Sequence, residues 1–133
     1  MKTIIRNATI VNEGRRFIGS VVIEDETIQQ VLEGDDSTQI YDTEIDATGL
    51  YLFPGVIDDH VHFREPGLTH KADIASESRT AAAGGVTSFM DMPNTNPPTT
   101  TIELLEEKFR IAEKNSRINY SFFFGASNEN TDA

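Results

Sequence analysis

Past Pro54-Gly55 the chain follows a rhythm that few folds accept: strand, helix, strand, helix, strand. VIDDHVHF (56–63) reads as a buried strand. ADIASESRTAAAGG (72–85) reads as a helix started by Asp73 and stopped by Gly84-Gly85. VTSFMDMP (86–93) is a second strand closed by Pro93. Thr100 and Glu103 form a candidate capping box for TIELLEEKFRIAEKN (101–115), whose Ile102, Leu105, Phe109 and Ala112 fall on one face. NYSFFFGAS (119–127) is a third strand. Consecutive βαβ units of this kind require a parallel sheet. Three parallel strands close no barrel and leave bare edges, so the chain is expected to be the front of something larger.

Before Pro54 the pattern differs. TIIRNATIV (3–11), SVVIED (20–25), TIQQVLE (27–33) and LYLF (50–53) are short and rich in Val, Ile and Thr. Asn-Glu-Gly, Glu-Gly-Asp-Asp and Ala-Thr-Gly between them are turn signals. This half, 1–53, reads as a small antiparallel sheet, with a tight turn in IEDETIQQV despite the poor turn chemistry of Glu26-Thr27. The expected division is therefore 1–53 and 54–133.

Composition narrows the function classes. At 133 residues with 38% apolar and 25% charged side chains, the chain can build an ordinary globular core. It has no cysteine, which removes disulfides, thiol nucleophiles and thiolate metal sites and is compatible with a reducing cytoplasm, the expected location. No signal-peptide pattern and no apolar run of membrane-spanning length is present. The formal charge is −11, and Glu24 to Asp46 holds nine acids and no Lys or Arg. Such a surface repels nucleic acid and anionic membranes, and neither is an expected partner.

The chemistry concentrates in GVIDDHVHFREPGLTH (55–70). On a regular strand Asp58, His60, His62 and Arg64 project to one side. His60 and His62 are two of the chain's three histidines, and at this spacing two imidazoles can share one divalent ion, with zinc the natural choice. Asp58 is then an orienting partner behind the ligands or a structural acceptor. The plainer alternative is two hydrogen-bonded core histidines, but burying them beside an aspartate and an arginine without a neutralising partner is costly. Arg64 offers a planar fork for a substrate carboxylate, or a salt bridge to Glu65 or another acid. Asn94, in DMPNTNPPTT (91–100), can bind a ureido or imide group, or serve only as a turn residue among prolines. His70 lacks a partner at ligand spacing and reads as a loop histidine.

With those residues assembled, GLYLFPGVIDDHVHFREPGLTHKADIASESRTAAAGGVTSFMDMPNTNPPTT resembles the dihydroorotase signature within the amidohydrolase superfamily. The resemblance implies an α/β fold, the first βαβαβ part of a (β/α)8 TIM barrel preceded by a small split β-sandwich lead-in. It implies a metal-dependent hydrolase of cyclic amides that interconverts N-carbamoyl-L-aspartate and L-dihydroorotate in pyrimidine synthesis. By position, His60 and His62 match two ligands of one or two zinc ions, or another divalent metal, and Arg64 and Asn94 match residues that hold the substrate carboxylate. Allantoinases are similar through EPG and the DMP strand but typically lack the arginine, and hydantoinases share HxH but differ around REPG and MPNT. The lead-in departs from the family at Asp25-Glu26-Thr27, where glycine is usual.

The resemblance also implies ligands and a catalytic aspartate on later strands, none of them matched within these residues. The expectation is an incomplete N-terminal piece, inactive alone. The whole protein is expected to act on a small molecule, to form a homo-oligomer and to associate with aspartate transcarbamoylase. Two rivals stand beside it: an allantoinase or hydantoinase type of cyclic amidase, and a non-catalytic dihydroorotase-like scaffold.

Overall fold

Strand β1 (Lys2–Asn12) turns back through Glu13 and Gly14, both at positive φ, into β2 (Arg15–Glu24). Positive φ at both central residues suits the twist of a two-residue hairpin. A second tight turn at Asp25-Glu26, with Asp25 at φ 53°, leads to β3 (Thr27–Glu33). Aspartate tolerates the left-handed region, so the turn closes without glycine one residue before the expected Glu26-Thr27. The computed structural model describes residues 1–34 and 39–130 and divides into two units, Met1–Pro54 and Gly55–Ala133. The Glu-Gly-Asp-Asp turn signal and the acidic run fall partly outside the described residues.

The first unit's sheet has the order β3-β2-β1-β4, with β5 also on β1. It corrects the expected antiparallel sheet: β4 (Thr43–Asp46) and β5 (Tyr51–Leu52) both pair parallel to β1. A second sheet facing it, which a sandwich requires, is not among the described residues. A bulge lies between Ile5 and Ala8, where Asn7 takes φ 59°. One extra residue reverses the alternation, so Ile5, Ala8 and Ile10 share a core with Val21 and Ala47. Ile4 and Val22, paired across the ladder, pack with Tyr41 in another cluster.

The second unit has the expected strand and helix alternation. Strands β6 (Val56–Val61), β7 (Val86–Asp91) and β8 (Asn119–Phe122) form a parallel sheet in that order. Helix α1 (Ile74–Ala83) starts at Asp73, whose carboxylate accepts from the Ser76 N–H at 2.7 Å, and stops at Gly84, with Gly85 at φ 88°. Helix α2 (Ile102–Asn115) corrects the capping box by one residue, for Thr101 is the cap and accepts from the Leu104 N–H. Phe63, Ile74, Phe89, Ala112 and Phe122 form the core, with Leu105 and Ile111 against it. Burying a ring such as Phe89 stabilises the unit by about 1.5–3 kcal/mol. Contrary to expectation, β6 is not buried: Val56 is 54% and Ile57 69% exposed. Among the described residues it is an edge strand whose one partner is β7. Nor is Phe109 fully inside; Lys108 is, at 0% exposure.

Candidate metal centre

Parallel strands deliver their carboxyl ends to one edge of the sheet, and the candidate residues gather there. Simple alternation does not carry them. The β6–β7 register slips between Asp58/Phe89 and Val61/Asp91, three residues facing two, so β6 bulges around Asp59-His60. The Asp58 carboxylate, half-buried, accepts from the His60 backbone N–H at 3.2 Å. It therefore braces the bulge at the backbone; among the described residues it makes no hydrogen bond to an imidazole.

His60 closes the bulge and His62 lies one residue past the strand. Both are exposed, with ring centroids 5.3 Å apart and planes at 64°. Two imidazoles on one tetrahedral ion, with metal–nitrogen bonds of about 2.0–2.1 Å, put their ring centres roughly 5 Å apart. The spacing fits a shared ion. His62 Nδ1 lies 2.8 Å from Asn94 Oδ1. A carboxamide oxygen only accepts, so the neutral tautomer that makes this hydrogen bond has its hydrogen on Nδ1 and its lone pair on Nε2, where a ligand role would need it. Among the described residues no group of three or more His, Cys, Asp or Glu stands at metal-binding distance, so the two imidazoles are a partial donor set.

Arg64 is not on the strand at all. It sits in the following loop at φ 69°, a conformation costly for a residue with a Cβ and concentrated at functional positions. Its expected alternative partner is engaged elsewhere: the Glu65 carboxylate accepts from the Ile74 N–H at 2.9 Å, at the start of α1. Among the described residues Arg64 makes no ion pair. The Arg64 loop packs on the loop that carries Asn94. Asn96 N–H donates to the Pro66 carbonyl at 3.2 Å, and a Cβ on Gly67 (φ 81°) would meet the Asn96 carbonyl oxygen at 1.8 Å. The Asn94 loop is firm in itself: Thr95 and Thr99 are buried and their hydroxyls lie 3.3 Å apart, and Gly125 N–H donates to the Thr99 carbonyl at 2.7 Å. His70 is exposed in the loop before α1, apart from these contacts.

Sequence reasoning missed Asp91 and Lys108. Their carboxylate and ammonium meet at 2.6 Å with both side chains 1% exposed. Burial pushes the Lys108 ammonium below its ordinary range, and the hydrogen bond and charge of Asp91 oppose that. A signal was present: Lys108 lies three residues after Leu105 and four before Ala112, on the apolar stripe of α2.

The second unit is a parallel βαβαβ sheet with an HxH pair at its carboxyl edge, and the proteins it is similar to are cyclic amidohydrolases. Residues 49–131 match the dihydro-orotase-like family. A dihydroorotase of Lactobacillus acidophilus is 42% identical over 99% of this chain, and an allantoinase of Deinococcus radiodurans 46% identical over 66% of it. The L-hydantoinase of Arthrobacter aurescens superposes with a TM-score of 0.90 at 29% identity over 96% of the chain. The chain belongs to the dihydroorotase-like family. It spans 30%, 20% and 28% of the length of those three relatives, in that order. No helix among the described residues is long and apolar enough to cross a membrane.

Proposed function

We propose that this chain carries part of the active site of a dihydroorotase, a metal-dependent hydrolase that interconverts N-carbamoyl-L-aspartate and L-dihydroorotate in pyrimidine synthesis. One observation carries the reading: two imidazoles at shared-ion spacing stand at the carboxyl end of β6, His62 touches Asn94 of the loop after β7, and Arg64, which makes no ion pair among the described residues, follows in the loop after β6. His60 and His62 hold zinc, one ion or two, or a similar divalent metal. Bound there, zinc lowers the pKa of water and polarises an amide carbonyl. Arg64 takes the substrate carboxylate with its planar fork. Asn94 uses Oδ1 to hold the His62 ring, and its Nδ2 hydrogens remain for the same carboxylate.

A catalytic zinc takes three protein ligands and the described residues offer two, so the proposed activity belongs to a polypeptide as long as the relatives. The catalytic aspartate and remaining ligands come from that added length, on the later strands of a (β/α)8 barrel. The same reading makes the protein cytoplasmic, a homo-oligomer and a candidate associate of aspartate transcarbamoylase. Relatives include an allantoinase and a hydantoinase, so the assay is comparative. Full-length protein is tested on dihydroorotate, allantoin and hydantoin, and turnover of dihydroorotate above the other two is expected. Preference for either rival overturns the substrate assignment. His60→Ala with His62→Ala should lose most bound zinc, and unchanged metal content removes the ligand assignment.

A further inference from the structure

Asp91 and Lys108 occupy the point at which the β6–β7 ladder ends. Its last bond runs from Met92 N–H to the Val61 carbonyl at 2.9 Å. In a continuing parallel ladder the next bond would join Phe63 N–H to the Met92 carbonyl. Neither group takes that partner. Phe63 N–H donates to Asp91 Oδ1 at 2.8 Å, and the Met92 carbonyl accepts from Lys108 Nζ at 3.1 Å. Lys108 Nζ also bonds Asp91 Oδ2 and stands 4.7 Å from the centre of the Phe122 ring, at the end of β8. One carboxylate and one ammonium thus stand in for a ladder bond. Phe63 follows His62 directly, and Met92 comes two residues before Asn94. The substituted bond lies behind the 2.8 Å contact between those two side chains.

We propose that Asp91 and Lys108 are positioning residues, a buried pair that caps the freed Phe63 N–H and Met92 carbonyl and so holds His62 and Asn94 face to face. The proposal rests on the reading of His62 and Asn94 as site residues. Hydrophobic burial does not explain the pair. Well-packed apolar residues in place of a buried ion pair are often neutral or stabilising, so burial alone gives no reason to keep a charge here. What an apolar pair cannot do is accept from Phe63 N–H and donate to Met92.

Two double variants separate position from stability. D91L/K108M removes both caps together with both charges, and D91N/K108M restores only the acceptor for Phe63. In the metal-free full chain, ring nitrogen NMR reads the His62 tautomer and hydrogen exchange reads the Phe63 amide. D91L/K108M is expected to stay folded, lose the Nδ1-protonated signature of His62 and exchange Phe63 faster. Its zinc affinity should fall on the order of 10-fold, as for loss of other groups that orient metal ligands. D91N/K108M should recover the Phe63 protection, with a His62 signature between those of D91L/K108M and the unsubstituted chain. An unchanged His62 signature in folded D91L/K108M overturns the proposal. If that variant does not fold, D91N/K108M decides alone. The Asn94 carboxamide resonances should then shift, because Met92 has lost its donor, while Phe63 stays protected; unshifted Asn94 overturns the proposal. An unsubstituted chain that binds no zinc defeats the metal reading, whereas the tautomer and exchange measurements need no metal and still judge the pair.

Discussion

The two units treat their charged side chains in opposite ways. In Met1–Pro54, among the described residues, the ion pairs open to water: Arg15 with Glu33, both about two-thirds exposed, and Arg6 with Glu44 at 3.1 Å, where Arg6 is 14% and Glu44 51% exposed. In Gly55–Ala133 one pair, Lys108 with Asp91, is sealed from water and ties three strand ends together. Exposed pairs are screened and contribute little, so the first unit's acids serve mainly to keep its sheet soluble and its edges unattractive to other strands. A sealed pair is different. Its desolvation is repaid only when geometry and additional hydrogen bonds are good, and here every bond it makes goes to a strand end beside the candidate site.

The contrast breaks most readily at Lys108. Lys108→Met strands the Asp91 carboxylate in the core and should destabilise the second unit by about 3–5 kcal/mol in urea unfolding. A loss under about 1 kcal/mol would make the pair no different from those at the surface. Arg15→Ala in the first unit should cost less than about 1 kcal/mol by the same measurement, and less still in high salt. A larger loss would show that the surface pairs matter structurally.

Acid gives the smallest effect and sharpens the comparison. The Arg6 hydrogen bond holds Glu44 below its ordinary 4.5, and the Thr48 hydroxyl does most to hold Asp46 below 3.8. In the second unit the Ser76 N–H lowers Asp73 from 3.8. A depressed folded-state value means stability that is complete above the ordinary value and lost as pH falls through the folded one. Both units should therefore hold constant stability from neutral pH down to the ordinary carboxylate range and weaken below it. Glu44→Gln should flatten that acid limb in the first unit and leave the second unchanged, as followed by residue-resolved NMR; an equal change in both would remove the assignment to Glu44.

Local signals were legible where one or two residues decide the geometry. Asp73 and Gly84-Gly85 marked α1, Asn12-Glu13-Gly14 marked the first hairpin, and apolar runs marked β7 and β8. The α2 cap slipped by one because Thr100 and Thr101 stand side by side and only packing selects between them. Strand β4 was invisible, being four exposed, mostly polar residues placed by backbone pairing with β1. The HxH motif was read on plain alternation, which the strand does not keep, because a bulge is a property of two strands in register. For the same reason the His62–Asn94 contact, 32 residues apart in sequence, could not be seen. Lys108 disclosed its burial by its place on the stripe but not its purpose, which depends on Asp91 and on where the ladder ends.

Gly67 carries a mechanical consequence. Its backbone lies so close to Asn96 that no side chain fits between them. The segment bearing Arg64 and the segment bearing Asn94 therefore behave as one jointed piece. A methyl group at Gly67 would act as a wedge against the Asn96 carbonyl, forcing the two loop backbones apart.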